Sequence, residues 1–414
     1  MSDAFVSGKP DGPPPSDCLV RYQPKPRGQL KIQVESKVDV LFGRSIKALA
    51  EQTLTELGIT HGLLEIDDNG ALPFVLQARI EATIKEADPG LEAASLPKIQ
   101  PHARYPGSRE RFRRSRMYVP GAQPKLMLNA GLHQPDGVIL DLEDSVAPAE
   151  KSSARLIVRN ALRTLDFFGA EKMVRINQGE RGMADLEAII PQPVHLVLIP
   201  KVETAYQVRL VDEKIAEIAK TCGRHEPVYL MPIIESALGV LNALSIAQGS
   251  ENNVALAIGL EDYTADLGVQ RTSEGSESFF ARSMLVNAAR ATGLQAMATV
   301  FSDVQDMEGL RAAALEAKAL GFDGMGAIHP RQIAVINGAF APTAEEIEHA
   351  QLVVLAYDEA QKKGLGVVAL GSKMIDPPVV KRAQQTVDLA VAIGLLRENW
   401  KTIRTGEMQP GEEE

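Results

Sequence analysis

From about residue 113, the chain alternates between short apolar runs and longer segments in which apolar residues recur at helical spacing. The eight runs span residues 117–119, 138–142, 173–176, 196–199, 228–233, 254–258, 296–300 and 325–328. Strands that alternate with helices predict a parallel sheet. Eight such units predict a closed (β/α)8 TIM barrel over residues 113–340, and a doubly wound open sheet is the alternative.

The sequence before the predicted barrel follows other patterns. Residues 1–27 are rich in proline and glycine, which predicts an extended arm. Residues 28–88 combine apolar extended segments, the VDVLF run among them, with helical spacing at 44–57 and 72–87, which predicts a small α+β domain. Four prolines fall within 89–112, and we expect this segment to be a flexible linker that tethers the small domain loosely.

Two further helices are predicted after the barrel, within residues 341–400. Their helical spacing covers 343–363 and 380–397. The polar and acidic end of the chain, 401–414, predicts a disordered tail.

Composition and charge narrow the class of function. The 414 residues include 44 Lys and Arg against 54 Asp and Glu, and this net charge of −10 disfavours non-specific nucleic-acid binding. No apolar run approaches the ~18 residues of a membrane span, and the N-terminus lacks the pattern of a secretory signal. The two cysteines are too few for a disulfide scaffold and suit a reducing compartment. We therefore expect a cytoplasmic protein that binds neither nucleic acid nor membrane.

Polar side chains follow the predicted strands, at the end of a barrel where active sites are built. The set comprises Glu143, Asp144, Arg175, Asn177, Lys201, Glu235, Asp262, Asp303 and His329. Loops are polar in any case, because they are solvated. This set nevertheless contains two separate carboxylate sites and an arginine, which favours a functional interpretation.

Glu235 and Asp262 follow adjacent strands and suit a hard cation such as Mg²⁺. The alternative is a pair of surface carboxylates or helix caps. Arg175 is a candidate to hold a carboxylate in a bidentate pair, and an ion pair with Glu143 or Asp144 is the structural alternative. A metal beside an arginine suits a 2-oxo or 2-hydroxy acid, which points to carbon–carbon lyase or aldolase chemistry. These residues do not distinguish cleavage from decarboxylation, hydrolysis or phosphoenolpyruvate chemistry.

Several motifs resemble the citrate lyase β-subunit family of the HpcH/HpaI aldolase group. They include RSRMYVPGAQPK at 114–125, ILDLEDSVAPAEKSSAR at 139–155, LEDYTADL at 260–267, GFDGMGAIHPRQI at 321–333 and GSKMIDPPVV at 371–380. The resemblance implies a TIM barrel with a C-terminal helical extension that acts as a lid on a neighbouring subunit.

The resemblance also implies a role for each matching residue. Glu235 and Asp262 match the magnesium ligands, and Arg175 matches the arginine that binds the oxo acid. The remaining matches are Glu143 and Asp144 beside that arginine, Arg114 as a further substrate arginine, and Asp376 as the lid acid/base delivered from an adjacent chain. The sequence departs from the family at Ala298, where an aspartate is expected, and this leaves the acyl specificity open.

The N-terminal domain resembles the acyl carrier subunit of citrate lyase, through SDCLVRYQP at 16–24 and the segment 59–84. That subunit carries a dephospho-coenzyme A-type arm on the serine of a Ser-Gly-Asp sequence. Asp17 matches the aspartate, and Ser16 stands one place from the expected serine, which makes Ser16 the candidate attachment site. Otherwise the domain is a structural remnant and the enzyme acts on free coenzyme A thioesters.

Together the two resemblances imply a Mg²⁺-dependent lyase that cleaves a citryl, citramalyl or malyl thioester into a 2-oxo acid and an acetyl thioester. They also imply a homo-oligomer, trimeric or hexameric, and allow a citrate lyase α-like partner subunit. The alternatives are a malyl-thioester synthase or thioesterase on the same scaffold, and a non-catalytic assembly subunit that uses the carrier-like domain for docking.

Overall fold

A computed structural model describes residues 4–272, 274–362, 364, 368–370 and 373–405. The chain divides into two compact units, Met1–Ile336 and Asn337–Glu414. The first unit contains both the carrier-like domain and the barrel.

The carrier-like domain is a four-stranded sheet with two helices. Its elements are β1 (Phe5–Ser7), β2 (Cys18–Gln23), β3 (Leu30–Ser36), α1 (Asp39–Glu56), β4 (Gly62–Asp68) and α2 (Pro73–Ala87). The strand order is β1-β2-β4-β3; β3 runs parallel to β4, and the other pairs are antiparallel. Burial alternates along β4, as expected for a strand with one face toward a core. That core includes Leu54, Leu64 and Ile80.

Two sequence expectations for this domain differ from the structure. The predicted arm, 1–27, contains β1 and β2, so the domain begins before residue 28. The VDVLF run was expected to be extended, but α1 starts at Asp39 and exposes Val40 (97%) and Leu41 (79%). An apolar run does not by itself distinguish a buried strand from an exposed first turn of a helix.

The barrel closes as predicted from eight parallel strands, each paired with its neighbour in sequence. The strands are β5 (Ser115–Pro120), β6 (Gly137–Asp141), β7 (Glu171–Arg175), β8 (Leu196–Ile199), β9 (Tyr229–Ile234), β10 (Ala255–Ile258), β11 (Gln295–Ala298) and β12 (Gly324–Ala327). Every predicted apolar run overlaps one strand. The interior is filled by side chains such as Ile139, Leu198 and Met297, so the barrel is a packed core rather than a pore.

Helices surround the strands. They are α3 (Pro124–Met127), α4 (Lys151–Thr164), α5 (Gly179–Ile189), α6 (Ala205–Cys222), α7 (Ala237–Leu241), α8 (Ala243–Ala247), α9 (Leu260–Leu267), α10 (Phe279–Ala291), α11 (Met307–Leu320) and α12 (Arg331–Phe340). Helix α6 starts with a capping box of Thr204 and Gln207 and ends at Gly223, whose φ of 69° suits glycine. Between β9 and β10, the chain forms the two short helices α7 and α8 in place of one long helix.

Buried contacts between α2 and α4 hold the carrier-like domain against the barrel. Arg159 donates to both carboxylate oxygens of Glu81, at 2.9 and 2.7 Å. Arg79 donates to Ser153 Oγ at 3.0 Å, and all four side chains are buried. A buried ion pair requires its partners in fixed positions. The structure therefore differs from the expected loose tether.

The predicted linker also packs against the barrel, at the amino-terminal ends of its strands. The Tyr105 hydroxyl donates to the carbonyl of Ala170 at 2.7 Å, and Lys172 donates to the carbonyl of Ala103. Arg109 donates to the carbonyl of Glu251. These contacts fix the segment, because each one joins it to a strand or to the start of one.

The C-terminal unit contains α13 (Ala344–Lys362), the hairpin of β13 (Val368–Leu370) and β14 (Lys373–Ile375), α14 (Pro377–Ala392) and α15 (Trp400–Thr405). Val353, Val387 and Trp400 belong to its core. Helix α15 occupies the start of the segment that was expected to be disordered, and residues 406–414 lie outside the described residues. Within the described part of the chain, no helix is long and apolar enough to cross a membrane.

Candidate active site

A cavity of about 410 Å³ opens at the carboxyl ends of the barrel strands. Its lining brings together Asp144, Arg175, Glu235 and Asp262, which lie up to 118 positions apart in the sequence. Asn177, Asp303 and His329 also follow strands, but they are not part of this lining. The structure therefore brings four members of the predicted set together at one end of the barrel: Asp144, Arg175, Glu235 and Asp262.

Arg175 is the last residue of β7 and is clamped by Asp141, the last residue of β6 and its partner in the strand register. Nε and Nη2 of Arg175 donate to the two oxygens of Asp141 at 2.7 and 2.8 Å. Nη1 lies 3.1 Å from Glu143 Oε2 and 3.6 Å from Asp144 Oδ2. Asp141 therefore orients the guanidinium, and the Nη1 corner faces the other carboxylates of the cavity entrance.

This contact shifts both pKa values. Burial opposes the charge of Arg175, but the hydrogen bonds and charge of Asp141 outweigh it and raise the pKa of the guanidinium. Burial alone would raise the pKa of Asp141, yet Arg175 holds it below its ordinary value. Arg175 thus makes a bidentate pair with Asp141 and keeps its third nitrogen, Nη1, beside Glu143 and Asp144.

Lys201 stands among three carboxylates just after β8. Its Nζ lies 3.5 Å from Glu143, 3.5 Å from Asp144 and 3.4 Å from Asp262. Burial works against its charge, but the surrounding carboxylates prevail and raise its pKa. Its backbone φ of 51° is in the left-handed region, which non-glycine residues rarely adopt and which is often found at functional sites.

Glu235 follows β9 directly and is almost fully buried. Its Oε2 accepts the N–H of Lys201 at 3.0 Å. A Cβ on Gly259 would lie 2.3 Å from Oε1, so only glycine at 259 leaves room for this carboxylate. Burial first, and then the charge of Asp262, raise the pKa of Glu235 to about 7. The site thus holds a carboxylate whose negative charge is poorly compensated.

The donor set fits Mg²⁺. Among the described residues, no three His, Cys, Asp or Glu side chains are grouped closely enough to hold a metal by themselves. Mg²⁺ commonly takes only one or two carboxylates and keeps water and substrate oxygens for its other positions. Glu235 and Asp262 offer such a pair of hard oxygen ligands on one cavity, and a cation there would offset the charge of the buried carboxylate.

Arg114 lies elsewhere, although the resemblance groups it with the substrate residues. It precedes β5, so it is at the amino-terminal end of the barrel, opposite the cavity. Nε and Nη2 donate to Asp136 at 2.9 and 2.8 Å. In a parallel barrel, a residue before a strand and a residue after a strand lie at opposite ends. The structure therefore assigns Arg114 a structural ion pair.

The two remaining predicted site residues lie outside the cavity lining. Asp376 caps α14, where its Oδ1 accepts the Val379 N–H at 3.2 Å. Ser16 is half-buried in a turn with φ of 68°. Next to it, Asp17 is buried and receives two hydrogen bonds from Arg79, at 3.0 and 2.7 Å. The roles of Asp376 and Ser16 remain predictions.

Sequence reasoning missed Asp141, Tyr118 and Arg116. Asp141 ends an apolar run, and its polar character was the available signal. The Tyr118 ring centre lies 5.3 Å from Arg175 Cζ. Arg116 is a charge inside an otherwise apolar strand, and that interruption was the signal for it.

Comparison with known proteins agrees with this geometry. Residues 114–330 match the family model described as HpcH/HpaI aldolase/citrate lyase, and residues 15–87 match that of the malonate decarboxylase delta subunit. Among curated relatives, the citrate lyase subunit beta of Leuconostoc mesenteroides is 42% identical over 68% of this chain and 95% of its own length. The mitochondrial citramalyl-CoA lyase of Mus musculus is 35% identical over 68% of this chain and 87% of its own.

A solved structure of a citrate lyase relative has a similar fold. It is CitE of Mycobacterium tuberculosis in complex with magnesium, acetoacetate and coenzyme A, with a TM-score of 0.57 and 32% identity over 68% of this chain and 99% of that one. The residues that match the family model, 114–330, include all eight barrel strands and Arg175, Glu235 and Asp262. The chain therefore belongs to the HpcH/HpaI aldolase/citrate lyase family of lyases.

Proposed function

We propose that this protein is a Mg²⁺-dependent lyase that cleaves a 3-hydroxyacyl thioester into a 2-oxo acid and an acetyl thioester. The observation that carries the proposal is the convergence of Arg175, Glu235 and Asp262 on one cavity at the carboxyl ends of the strands. The names of the relatives, which include a citrate lyase subunit and a citramalyl-CoA lyase, support this class of substrate. The magnesium and coenzyme A in the related CitE structure support the cofactor and the thioester.

Glu235 and Asp262 would hold Mg²⁺, which supplies a Lewis acid next to the oxygen at which charge develops. The Nη1 corner of Arg175 would bind the carboxylate of the 2-oxo acid unit. Asp141 occupies the Nε–Nη2 edge of this guanidinium and so fixes its plane. A fixed plane matters because a planar fork recognises a carboxylate only in the right orientation.

In the proposed reaction, the C3 hydroxyl loses its proton and its oxygen becomes the carbonyl of the 2-oxo acid. The bond between C2 and C3 breaks, and its electron pair passes to the acetyl thioester as an enolate. A proton then returns to C2, so the reaction consumes no net proton. We propose that Asp376 of an adjacent chain donates this proton, as the resemblance implies, and that the active form is therefore a homo-oligomer.

The lyase proposal is tested with citryl-, citramalyl- and malyl-CoA, each with Mg²⁺ and with excess EDTA. We expect a 2-oxo acid and acetyl-CoA to form from at least one thioester, only with Mg²⁺, and Glu235→Gln to abolish this turnover. Glu217→Gln is the matched control, because Glu217 is exposed on α6 and pairs with Lys214. Release of free coenzyme A and a hydroxy acid would instead identify a thioesterase. No turnover with any thioester would favour the assembly subunit.

Catalysis by Asp376 across subunits is tested by mixing two inactive variants, Asp376→Asn and Arg175→Ala. If each site takes the two groups from different chains, mixed oligomers contain some sites with both groups intact and regain part of the activity. No recovery after verified subunit exchange would contradict catalysis across subunits.

We further propose that Ser16 carries the thioester arm. Arg79 supports this proposal, because it joins Asp17 to Ser153, near the start of α4. The Lys151 side chain at that start bonds the carbonyls of Leu142 and Glu143, just after the end of β6. An arm on Ser16 would thus begin on the side of the barrel that carries the cavity.

Intact-protein mass spectrometry of the chain purified from its own cells tests this proposal. We expect an added mass that Ser16→Ala removes and that Ser152→Ala leaves in place. An unmodified chain that cleaves free coenzyme A thioesters would identify the domain as a structural remnant.

A further inference from the structure

One buried arginine in the described part of the barrel has no carboxylate partner. The arginines with less than 2% exposure among the described residues are Arg79, Arg113 and Arg116. Arg79 pairs with Asp17 at 2.7 Å, and Arg113 pairs with Glu171 at 2.7 Å. Arg116 donates only to Met231 Sδ at 3.4 Å and to the carbonyl of Ala298 at 3.1 Å, and its Nε has no hydrogen-bond partner.

This arrangement is costly for the free protein. A buried charge without a paired anion is less stable than the same charge in water. Burial, and secondarily the nearby Arg113, lower the pKa of Arg116 to about 10, so the guanidinium still carries its charge at neutral pH. A thioether sulfur and one carbonyl are weak partners for such a group. An anion bound from outside the chain would supply the charged partner that Arg116 lacks.

Arg116 lines the same cavity as the catalytic set. It lies two residues before Tyr118 in β5 and therefore deeper in the barrel, at the floor of the cavity. Tyr118 follows Arg116 on the same strand, and the centre of its ring lies 5.3 Å from Arg175 Cζ. The cavity thus has one cation at its entrance and a second at its floor.

Small residues line the cavity near Arg116. They are Ala257, Ala298 and Gly326, from three consecutive strands. Gly326 is the register partner of Arg116, and Val300 and the Tyr118 ring fill the space that a Cβ there would need, at 2.7 and 3.2 Å. The access to Arg116 therefore depends on the small side chains of Ala257 and Ala298.

We propose that Arg116 binds a second carboxylate of the acyl substrate, so that the enzyme selects a thioester whose 2-oxo acid product is a dicarboxylate. The proposal rests on the function proposed above, in which Arg175 and the metal hold the first carboxylate. Nε and one Nη nitrogen of Arg116 form the fork that recognises a carboxylate. A substrate with a methyl group or a hydrogen in place of the second carboxylate would leave this buried charge unpaired.

The test compares ligands that differ only in this group. Calorimetry with Mg²⁺ measures the affinities of malate and of lactate, in which a methyl replaces the CH₂–COO⁻ of malate. Kinetics measure kcat/KM for citryl-CoA and citramalyl-CoA, which differ in the same way. Loss of one partner of a buried charge pair costs about 2–5 kcal/mol, so we expect wild-type protein to prefer the dicarboxylate at least about 30-fold.

Arg116→Met should remove this preference, so that the ratio of the two affinities and the ratio of the two kcat/KM values both fall to near unity. Arg116→Lys should restore part of it, because the charge returns without the fork. Arg290→Met is the matched control: Arg290 is half-exposed on α10 and pairs with Asp323, and its loss should leave the preference intact. A purely structural Arg116 would instead change the affinities of both ligands by the same factor.

The outcomes separate the two proposals. If wild-type protein shows no preference for the dicarboxylate, the assignment of Arg116 is wrong, whether or not Arg116→Met folds, and measured cleavage would leave the lyase proposal intact. If no thioester is cleaved but malate binds through Arg116, the lyase proposal fails and the anion site stands.

Discussion

The two ends of the barrel use charged residues differently. At the amino-terminal end, Arg113 and Arg114 are each matched by one carboxylate, Glu171 and Asp136, and each pair is joined by two hydrogen bonds between 2.7 and 2.9 Å. At the carboxyl end, four basic side chains, Arg116, Lys151, Arg175 and Lys201, lie near five carboxylates. The carboxylates are Asp141, Glu143, Asp144, Glu235 and Asp262.

The size of the cavities does not distinguish the two ends of the barrel. A cavity of about 480 Å³, larger than the one at the carboxyl end, lies at the amino-terminal end beside Tyr105, His195 and Arg224. Arg224 there donates to the carbonyls of Ile190, Gln192 and Val194. Matched groups stabilise the fold, whereas the excess of carboxylates at the other end leaves a demand for a cation and a substrate. The balance of charge, rather than volume, identifies the functional end.

The largest effect we expect is at the amino-terminal end. Glu171→Gln leaves the buried Arg113 without a charged partner, and the free energy of unfolding should fall by about 3–5 kcal/mol. Chemical denaturation measures this change, and turnover per folded molecule should stay near wild type. Glu187→Gln is the control, because Glu187 is exposed and pairs only with Lys214, at 3.2 Å. A loss of turnover at unchanged stability would contradict the structural role that the comparison gives to the amino-terminal end.

Arg175→Lys should instead lower turnover more than it lowers stability. Lysine keeps a positive charge beside Asp141 and Glu143 but loses the planar fork. We expect turnover to fall by the equivalent of about 2–4 kcal/mol, with a smaller loss of stability. Steady-state kinetics and denaturation of the same preparation measure both. Nearly normal turnover would show that Arg175 is not the carboxylate-binding group.

Lys172 provides a pH-dependent test of the amino-terminal end. Its Nζ lies 4.4 Å from the centre of the Tyr105 ring, and burial lowers its pKa from 10.5 to about 7. Between these pH values the unfolded chain binds more protons than the folded chain, so this lysine makes stability rise with pH, by at most about 1.4 kcal/mol per pH unit. Lys172→Met should flatten the pH dependence of unfolding. An unchanged slope between pH 7 and 10 would contradict the shift.

Arg114→Met should have the smallest effect. Its pair with Asp136 is partly exposed, so we expect a loss of about 1 kcal/mol or less. Turnover should change less than about twofold, as for substitutions away from a site. A raised KM at unchanged stability would return Arg114 to the substrate residues, as the resemblance implied.

The barrel was predictable from the sequence because its strands are buried on both faces and appear as continuous apolar runs. The same property concealed Arg116: without alternation, a pattern does not show which strand residues point into the cavity. Arg114 was misplaced because a motif gives a position along the chain, whereas the end of the barrel depends on where β5 begins. Glu235 and Asp262 were found because each follows a strand.

The contacts between the carrier-like domain and the barrel could not be predicted from the sequence. Glu81 and Arg159 are each one of several charged residues on their helices, and their spacing of 78 residues carries no local signal. The expectation of a loose tether came from proline content, which describes stiffness but not packing.

The buried pair of Glu81 and Arg159 also has an evolutionary consequence. The two halves of the molecule match families described separately, one at 15–87 and the other at 114–330. Cutting the chain between them would now leave a buried carboxylate on one fragment and a guanidinium on the other, each adapted to a partner that is no longer present. Separation of the two halves would require replacement of both charges, because removal of one partner of a buried ion pair costs about 3–5 kcal/mol. The buried salt bridge thus opposes separation of the two halves more strongly than the peptide that joins them does.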